Sequence, residues 1–147
     1  MSVYTASESR YSDMQYRSCG ESGLLASARK CGKGVIVFSP LAQGLLTDKY
    51  LHGIPENSRV KTSGIFLKES YLDADTLDKV RKLNELAAQR GETLAQMALS
   101  WLLAKKEVTS VLIGASSPEQ IAENARVTHS PAFTEEELAL IDSVSLA

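Results

Sequence analysis

Cysteine is nearly absent from this 147-residue chain, which holds two, Cys19 and Cys31. Two thiols cannot build a disulfide framework, and these two lack the spacing of a zinc site. They read as free thiols of a reducing, cytoplasmic compartment. Histidine is just as scarce: His52 and His129 have no partner at catalytic spacing, which predicts surface positions for both. No stretch approaches the roughly 18 consecutive apolar residues that a membrane span requires. The polar stretch Met1 to Ser22 contains no apolar run of the secretory-signal kind. Net charge is −2 and the pI about 5.7, so there is no basic field to gather a phosphate backbone. Neither nucleic acid nor membrane is an expected partner. Also missing are a nucleophile elbow, paired carboxylates beside a positioned histidine, and a metal-ligating cluster.

What remains is an ordinary globular balance, 44% apolar and 23% charged, at the size of one domain. A chain of this length can bury roughly 68–70% of its unfolded surface. The reading is therefore a single domain over 1–147, with a hairpin-like N-terminal segment, 1–24, ahead of a main body, 25–147. Met14 to Gly20 alternates loosely, as one arm of a short hairpin would. Leu24 to Lys30 suits a short helix that Gly32 and Gly34 would stop. Val35-Ile36-Val37-Phe38 is a short, continuous, β-branched apolar run, the signature of a strand buried on both faces of a parallel sheet. A long loop follows to about Asp73, and loops of that length inside a compact domain usually carry function.

Asp75 is the expected cap of a helix running to about Arg90, with Leu77, Val80, Leu83 and Leu86 as its apolar stripe and Gly91 as its stop. Thr93 and Gln96 form a capping box for a second helix that turns Met97, Trp101 and Leu102 inward and ends near Lys105-Lys106. Thr109 to Ile113 is the second buried strand. Ser117-Pro118-Glu119-Gln120 opens a helix, with Ser117 as N-cap, proline where no N–H is needed, and Gln120 closing the box. A last helix opens at Thr134 and carries Leu138, Ile141 and Val144 inward. Strand, helices, strand, helix, helix makes two βα units, so the class is α/β.

Ligands of α/β folds gather at the C-terminal ends of parallel strands. The first such end is Ser39 to Gly44, with Lys49 and Arg59 further along its loop; the second is Gly114-Ala115-Ser116, just before a helix N-terminus. Glycine permits close backbone approach, first-turn amides carry partial positive charge, and Ser116, Lys49 and Arg59 add a hydroxyl and full charges. Two readings fit: an anion site, most simply for a nucleotide phosphate, or an ordinary strand-to-helix connection. Gln120, Glu123 and Asn124 share one helical face, which is either part of that site or a solvated surface.

Ser39-Pro40-Leu41-Ala42-Gln43-Gly44-Leu45-Leu46-Thr47-Asp48-Lys49-Tyr50 closely resembles the loop after the seventh barrel strand of aldo-keto reductases. Ala95 to Leu103 resembles the family's following helix, and Val111 to Asn124 its eighth strand and helix. The branch most resembled holds bacterial glyceraldehyde 3-phosphate reductases and potassium-channel beta subunits. The resemblance implies a partial (β/α)8 TIM barrel, its last two βα units plus the N-terminal hairpin-like segment. It also implies NADP(H) as cofactor. By position, Ser39, Pro40, Leu41, Ala42, Gly44 and Lys49 would line the pyrophosphate, and Arg59 would approach the nucleotide. Gly114, Ser116 and Gln120 would hold the 2′-phosphate end, and Glu123 and Asn124 the adenine.

The family's Asp, Tyr, Lys and His tetrad lies on the first four barrel strands, and nothing in this sequence matches those strands. The chain reads as a reductase lacking its middle, joined near Leu24, and a full barrel needs about 250 residues. That implies no catalytic residue here and little carbonyl reduction by this chain alone; a small carbonyl substrate would enter only if another chain completed the site. The alternative is a non-catalytic NADPH-binding module, akin to a channel beta subunit. Open strand edges also predict either an oligomer, most simply a homo-oligomer, or a loosely packed state rather than a rigid monomer.

Overall fold

The computed structural model describes residues 24–56, 58–62 and 67–146. The hairpin-like reading of the N-terminal segment falls almost wholly outside them, as does Cys19. The described elements run α1 (Leu24–Lys30), β1 (Val35–Phe38), α2 (Arg59–Thr62), α3 (Ala74–Gln89), α4 (Leu94–Leu103), β2 (Val108–Leu112), α5 (Pro118–Ala125) and α6 (Glu135–Leu146). β1 and β2 lie side by side and parallel, with Ile36 opposite Ser110 and Phe38 opposite Leu112. This is an α/β arrangement, as the order of elements predicts.

The approach of the two strands is set by Gly34. A Cβ there would lie 2.9 Å from Thr109 Oγ1. That same hydroxyl oxygen accepts the Val35 N–H at 3.1 Å, at the point where the register shifts. Only a residue without a side chain leaves the hydroxyl room to serve as the strand's first partner.

The expectation of two-face burial does not hold. Val35 and Val37 turn inward, but Ile36 is 68% exposed, Phe38 74% and Leu112 63%. A continuous apolar run suits a strand covered on both sides, and among the described residues helices cover one side only.

The core lies between helices. Val80, Leu86 and Ala87 of α3 pack with Leu94 and Met97 of α4 and Ile141 of α6, and Leu83, Trp101 and Phe133 close over them. Trp101 is thus half-buried at the core's margin, with the Lys105 ammonium 4.1 Å from its ring centroid. A second, smaller cluster forms around Tyr50, Val60 and Leu67. The segment read as a long loop is therefore partly structured: it holds 3-10 turns at Ala42–Gly44, Asp48–Tyr50 and Glu69–Tyr71, plus α2.

Caps match the sequence closely, except at the start of α3 and at the box expected of Gln120, which is described with the site below. Asp73, not Asp75, caps α3, its carboxylate accepting the Thr76 N–H at 2.8 Å. Gly91 ends that helix region in the left-handed conformation, φ 73°. Thr93 and Gln96 form the full capping box of α4. Thr134 and Glu137 exchange the same reciprocal pair ahead of α6. α4 ends at Leu103, slightly earlier than the Lys105-Lys106 boundary. His52 and His129 are exposed, as expected, and Cys31 is an exposed free thiol.

Candidate functional site

Both strands end at one groove of about 980 Å³, at the upper end of the range typical of ligand pockets. Ser39, Pro40, Leu41, Gly44 and Lys49 line it from the loop after β1. Gly114, Ser116, Gln120, Glu123 and Asn124 line it from the turn after β2 and from α5. The parallel pairing therefore brings together two segments that the sequence holds some seventy residues apart. Ala42 sits in the same loop but does not form its wall. Arg59 opens α2, and its side chain falls outside what the structure describes.

The first wall is a tightly wound loop. Ala42 N–H donates to Ser39 O at 3.1 Å, Gly44 N–H to Leu41 O at 2.8 Å, and Leu46 N–H to Leu41 O at 3.2 Å. The Thr47 hydroxyl donates to Gly44 O at 2.6 Å and accepts the Lys49 N–H at 3.2 Å. This winding forces three non-glycine residues to positive φ: Ser39 at 54°, Ala42 at 46° and Gln43 at 62°. Such conformations cost of order 1–3 kcal/mol each and concentrate at functional sites. Below the loop, Tyr50 is buried and fixes its far end to the core.

The second wall is pinned from two directions. Ser117 caps α5 by accepting the Gln120 N–H at 3.3 Å. Gln120 does not close the box on Ser117. Its Oε1 accepts the Ser116 N–H at 2.9 Å and the Ser116 hydroxyl at 3.2 Å instead, one residue further back. From α4, the Gln96 side-chain amide donates to Glu123 O at 3.0 Å and so ties α5 to the start of α4. Asn124 is buried, so the face it shares with Glu123 is not simply a solvated one.

Several groove residues escaped the sequence reading: Thr47, Asp48, Asn84, Glu92 and Thr93 also line it. Thr93 stood out only as a cap, and nothing near Glu92 in sequence marks it as part of a site. Among the described lining residues Lys49 is the one cation, set against Asp48, Glu92 and Glu123. Arg90, next to Glu92, is held away by the two carboxylates of Glu92 and Glu137. Among the described residues, no three His, Cys, Asp or Glu side chains are placed to hold a metal ion. No helix among them is long and apolar enough to cross a membrane. The groove can seat an elongated ligand with an anionic portion near Lys49 and hydrogen-bonding groups elsewhere.

The groove lies where the sequence resemblance led one to look, at the ends of the two parallel strands. The chain belongs to the aldo/keto reductase family, whose model matches residues 4–146. Family membership implies a TIM barrel, and the two parallel strands with their helices are consistent with part of one. Within the family it is 51% and 50% identical to L-glyceraldehyde 3-phosphate reductases from two strains of Escherichia coli, over 125 residues in each case. It is also 40% identical, over 128 residues, to a Schizosaccharomyces pombe protein named as a voltage-gated potassium channel subunit beta. The matches take in 83–84% of this chain but only 36–37% of those relatives, so the chain spans little more than a third of their length.

Proposed function

We propose that this chain binds a nicotinamide nucleotide, NADP(H), in the groove between β1 and β2, as the nucleotide half of a single, partial aldo-keto reductase barrel. The observation that carries this reading is the convergence of the Ser39–Gly44 loop and the Gly114–Asn124 segment on one cavity. Lys49 would face the pyrophosphate, beside Ser39, Pro40, Leu41 and Gly44, with Ala42 holding the turn of their loop and not its wall. Gly114, Ser116 and Gln120 would face the ribose and its phosphate, and Glu123 and Asn124 the base. Arg59 would approach from α2. Gly114 suits close approach, since nothing lies within 4 Å of where its Cβ would be. At Ser116 the fit requires an exchange, because its N–H and hydroxyl are already taken by Gln120.

The nucleotide would supply the hydride for carbonyl reduction. That chemistry also needs an acid placed at the carbonyl oxygen, and no described groove residue resembles the family tyrosine in that role. We therefore expect negligible reduction of glyceraldehyde 3-phosphate or methylglyoxal by this chain alone, and reduction of a small carbonyl compound only when another chain completes the barrel. Titration calorimetry with NADPH tests the binding: micromolar affinity supports it, and no detectable heat overturns it. An NADPH-oxidation assay tests the rest, since turnover comparable to a full-length reductase would overturn the expected inactivity. The second reading, a non-catalytic NADPH-binding module, is favoured by the likeness to the channel subunit beta and shares the binding prediction.

A further inference from the structure

The uncovered face of the sheet and the groove have two residues in common. Ile36 and Phe38 of β1 stand opposite Ser110 and Leu112 of β2, so these four residues share one face. Val35 and Val37 turn to the other, toward the helices. Ile36, Phe38 and Leu112 are each more than half exposed. At the C-terminal ends of the strands, Phe38 and Leu112 also line the groove, and Ile36 does not. The apolar row thus begins on the open sheet and runs into the groove wall.

We propose that this face docks a second copy of the chain, and that a nucleotide in the groove competes with that copy for Phe38 and Leu112. The competition rests on the nucleotide reading above; the docking does not. Charge and size argue for the second copy. None of the four residues is charged, so a partner of opposite charge has nothing to match, whereas two identical faces meet apolar to apolar. The net charge of −2 sets little repulsion between copies. Placed face to face, the two sheets would lie about 10 Å apart with their helices outside. Three such side chains offer a few hundred Å² of apolar surface, the size at which a patch marks an interaction site. A standard interface buries roughly 800 Å² per partner. The row therefore suits a weak, reversible dimer that a bound molecule can displace. Phe38 and Leu112 cannot give the same surface to both, and linkage makes the effect reciprocal. The nucleotide splits the dimer, and the dimer weakens nucleotide binding.

The test is sedimentation velocity of the wild-type chain and of Ile36→Ser over a concentration series, with and without NADPH, beside calorimetric titration of NADPH at low and high chain concentration. Ile36 lies outside the groove lining, so its replacement removes docking surface and leaves the groove intact. Wild type is expected to show a dimer whose share rises with concentration. NADPH at about ten times its Kd weakens that association at least about tenfold. NADPH affinity in turn falls as wild-type chain concentration rises. Ile36→Ser is expected to need at least about tenfold more protein to dimerise, and its NADPH affinity no longer depends on chain concentration. Far-UV circular dichroism checks that the variant folds, and the wild-type series stands even if it does not. A wild type that is monomeric at every concentration overturns the docking, the face then belonging to some other partner. A dimer unchanged in folded Ile36→Ser overturns it too. A dimer that NADPH binds without splitting overturns the competition. If calorimetry finds no NADPH binding, the nucleotide reading falls and the competition with it, while Ile36→Ser still decides the docking.

Discussion

Arg90 and Glu137, forty-seven residues apart, are joined by a hydrogen-bonded ion pair that locks the end of α3 to the start of α6. The same Glu137 oxygen accepts the Thr134 backbone N–H at 2.8 Å, so one atom both caps α6 and docks it. The Arg90 side chain is 2% exposed, which places this junction inside the fold.

Replacing Arg90 with alanine strands two carboxylates, Glu92 and Glu137. Breaking a buried pair from one side typically costs 3–5 kcal/mol. Because Glu137 keeps some solvent contact, we expect a loss near the low end, about 3 kcal/mol, measured as a shift of the urea midpoint at constant slope.

The same junction gives acid sensitivity. The Thr134 N–H holds the Glu137 carboxyl below its ordinary value, with Arg90 adding to the effect against the cost of burial. At the start of α3 the Thr76 backbone N–H does the same for Asp73. A carboxyl lowered on folding contributes stability that is complete above its unfolded pKa and is lost as pH falls through the lower folded one. Stability is therefore expected to be flat toward neutrality and to fall below the ordinary carboxylate range. In Glu137→Gln that fall becomes shallower, which thermal melts across an acid series will read.

Gly34→Ala is expected to be destabilising. The added methyl would lie 2.9 Å from Thr109 Oγ1, so the hydroxyl must move and the Val35 N–H loses its partner. Overpacking of this kind costs roughly 1–3 kcal/mol. Gly34→Ala combined with Thr109→Ala removes the clashing oxygen and so relieves the overpacking, while the Val35 N–H stays without that partner, and only part of the loss is recovered.

For Lys49→Ala, NADPH affinity is expected to fall about tenfold, with a weaker dependence on salt. Titrations at two ionic strengths separate the two effects. Unchanged affinity would remove Lys49 from the phosphate region.

The exposed apolar row of Ile36, Phe38 and Leu112 predicts self-association. Light scattering coupled to size exclusion is expected to show species heavier than 15.9 kDa, and Phe38→Ser to lower their proportion. A monodisperse species of 15.9 kDa, with a sharp near-ultraviolet signal from Trp101 and a cooperative melt, would contradict the expectation.

Local signals carried much of this fold into the sequence. The Thr93–Gln96 box, the Ser117-Pro118 helix start and the two β-branched runs depend on neighbours in the chain, and each lies close to where it was expected. Asp73 against Asp75 was harder, because both are good caps and only the first turn's geometry separates them. The exposure of Ile36 and Phe38 was illegible, since an apolar residue records the cover it suits and not the cover it has. Glu92 was invisible for a different reason: its meaning rests on what Arg90, Pro131 and Glu137 do around it in space. The residues quoted for the groove walls were legible through likeness to a family more than through chemistry, because glycines and serines beside a helix start serve many ends.

The positive φ angles at Ser39, Ala42 and Gln43 have a kinetic consequence. A loop already wound into its final shape leaves an arriving molecule nothing to order, so the entropy of arranging this wall is spent during folding and not at the encounter. Within one copy, any slow step in association is then expected to come from the exchange at Ser116 and Gln120 and not from this wall. Differences among ligands would accordingly appear in how long each stays.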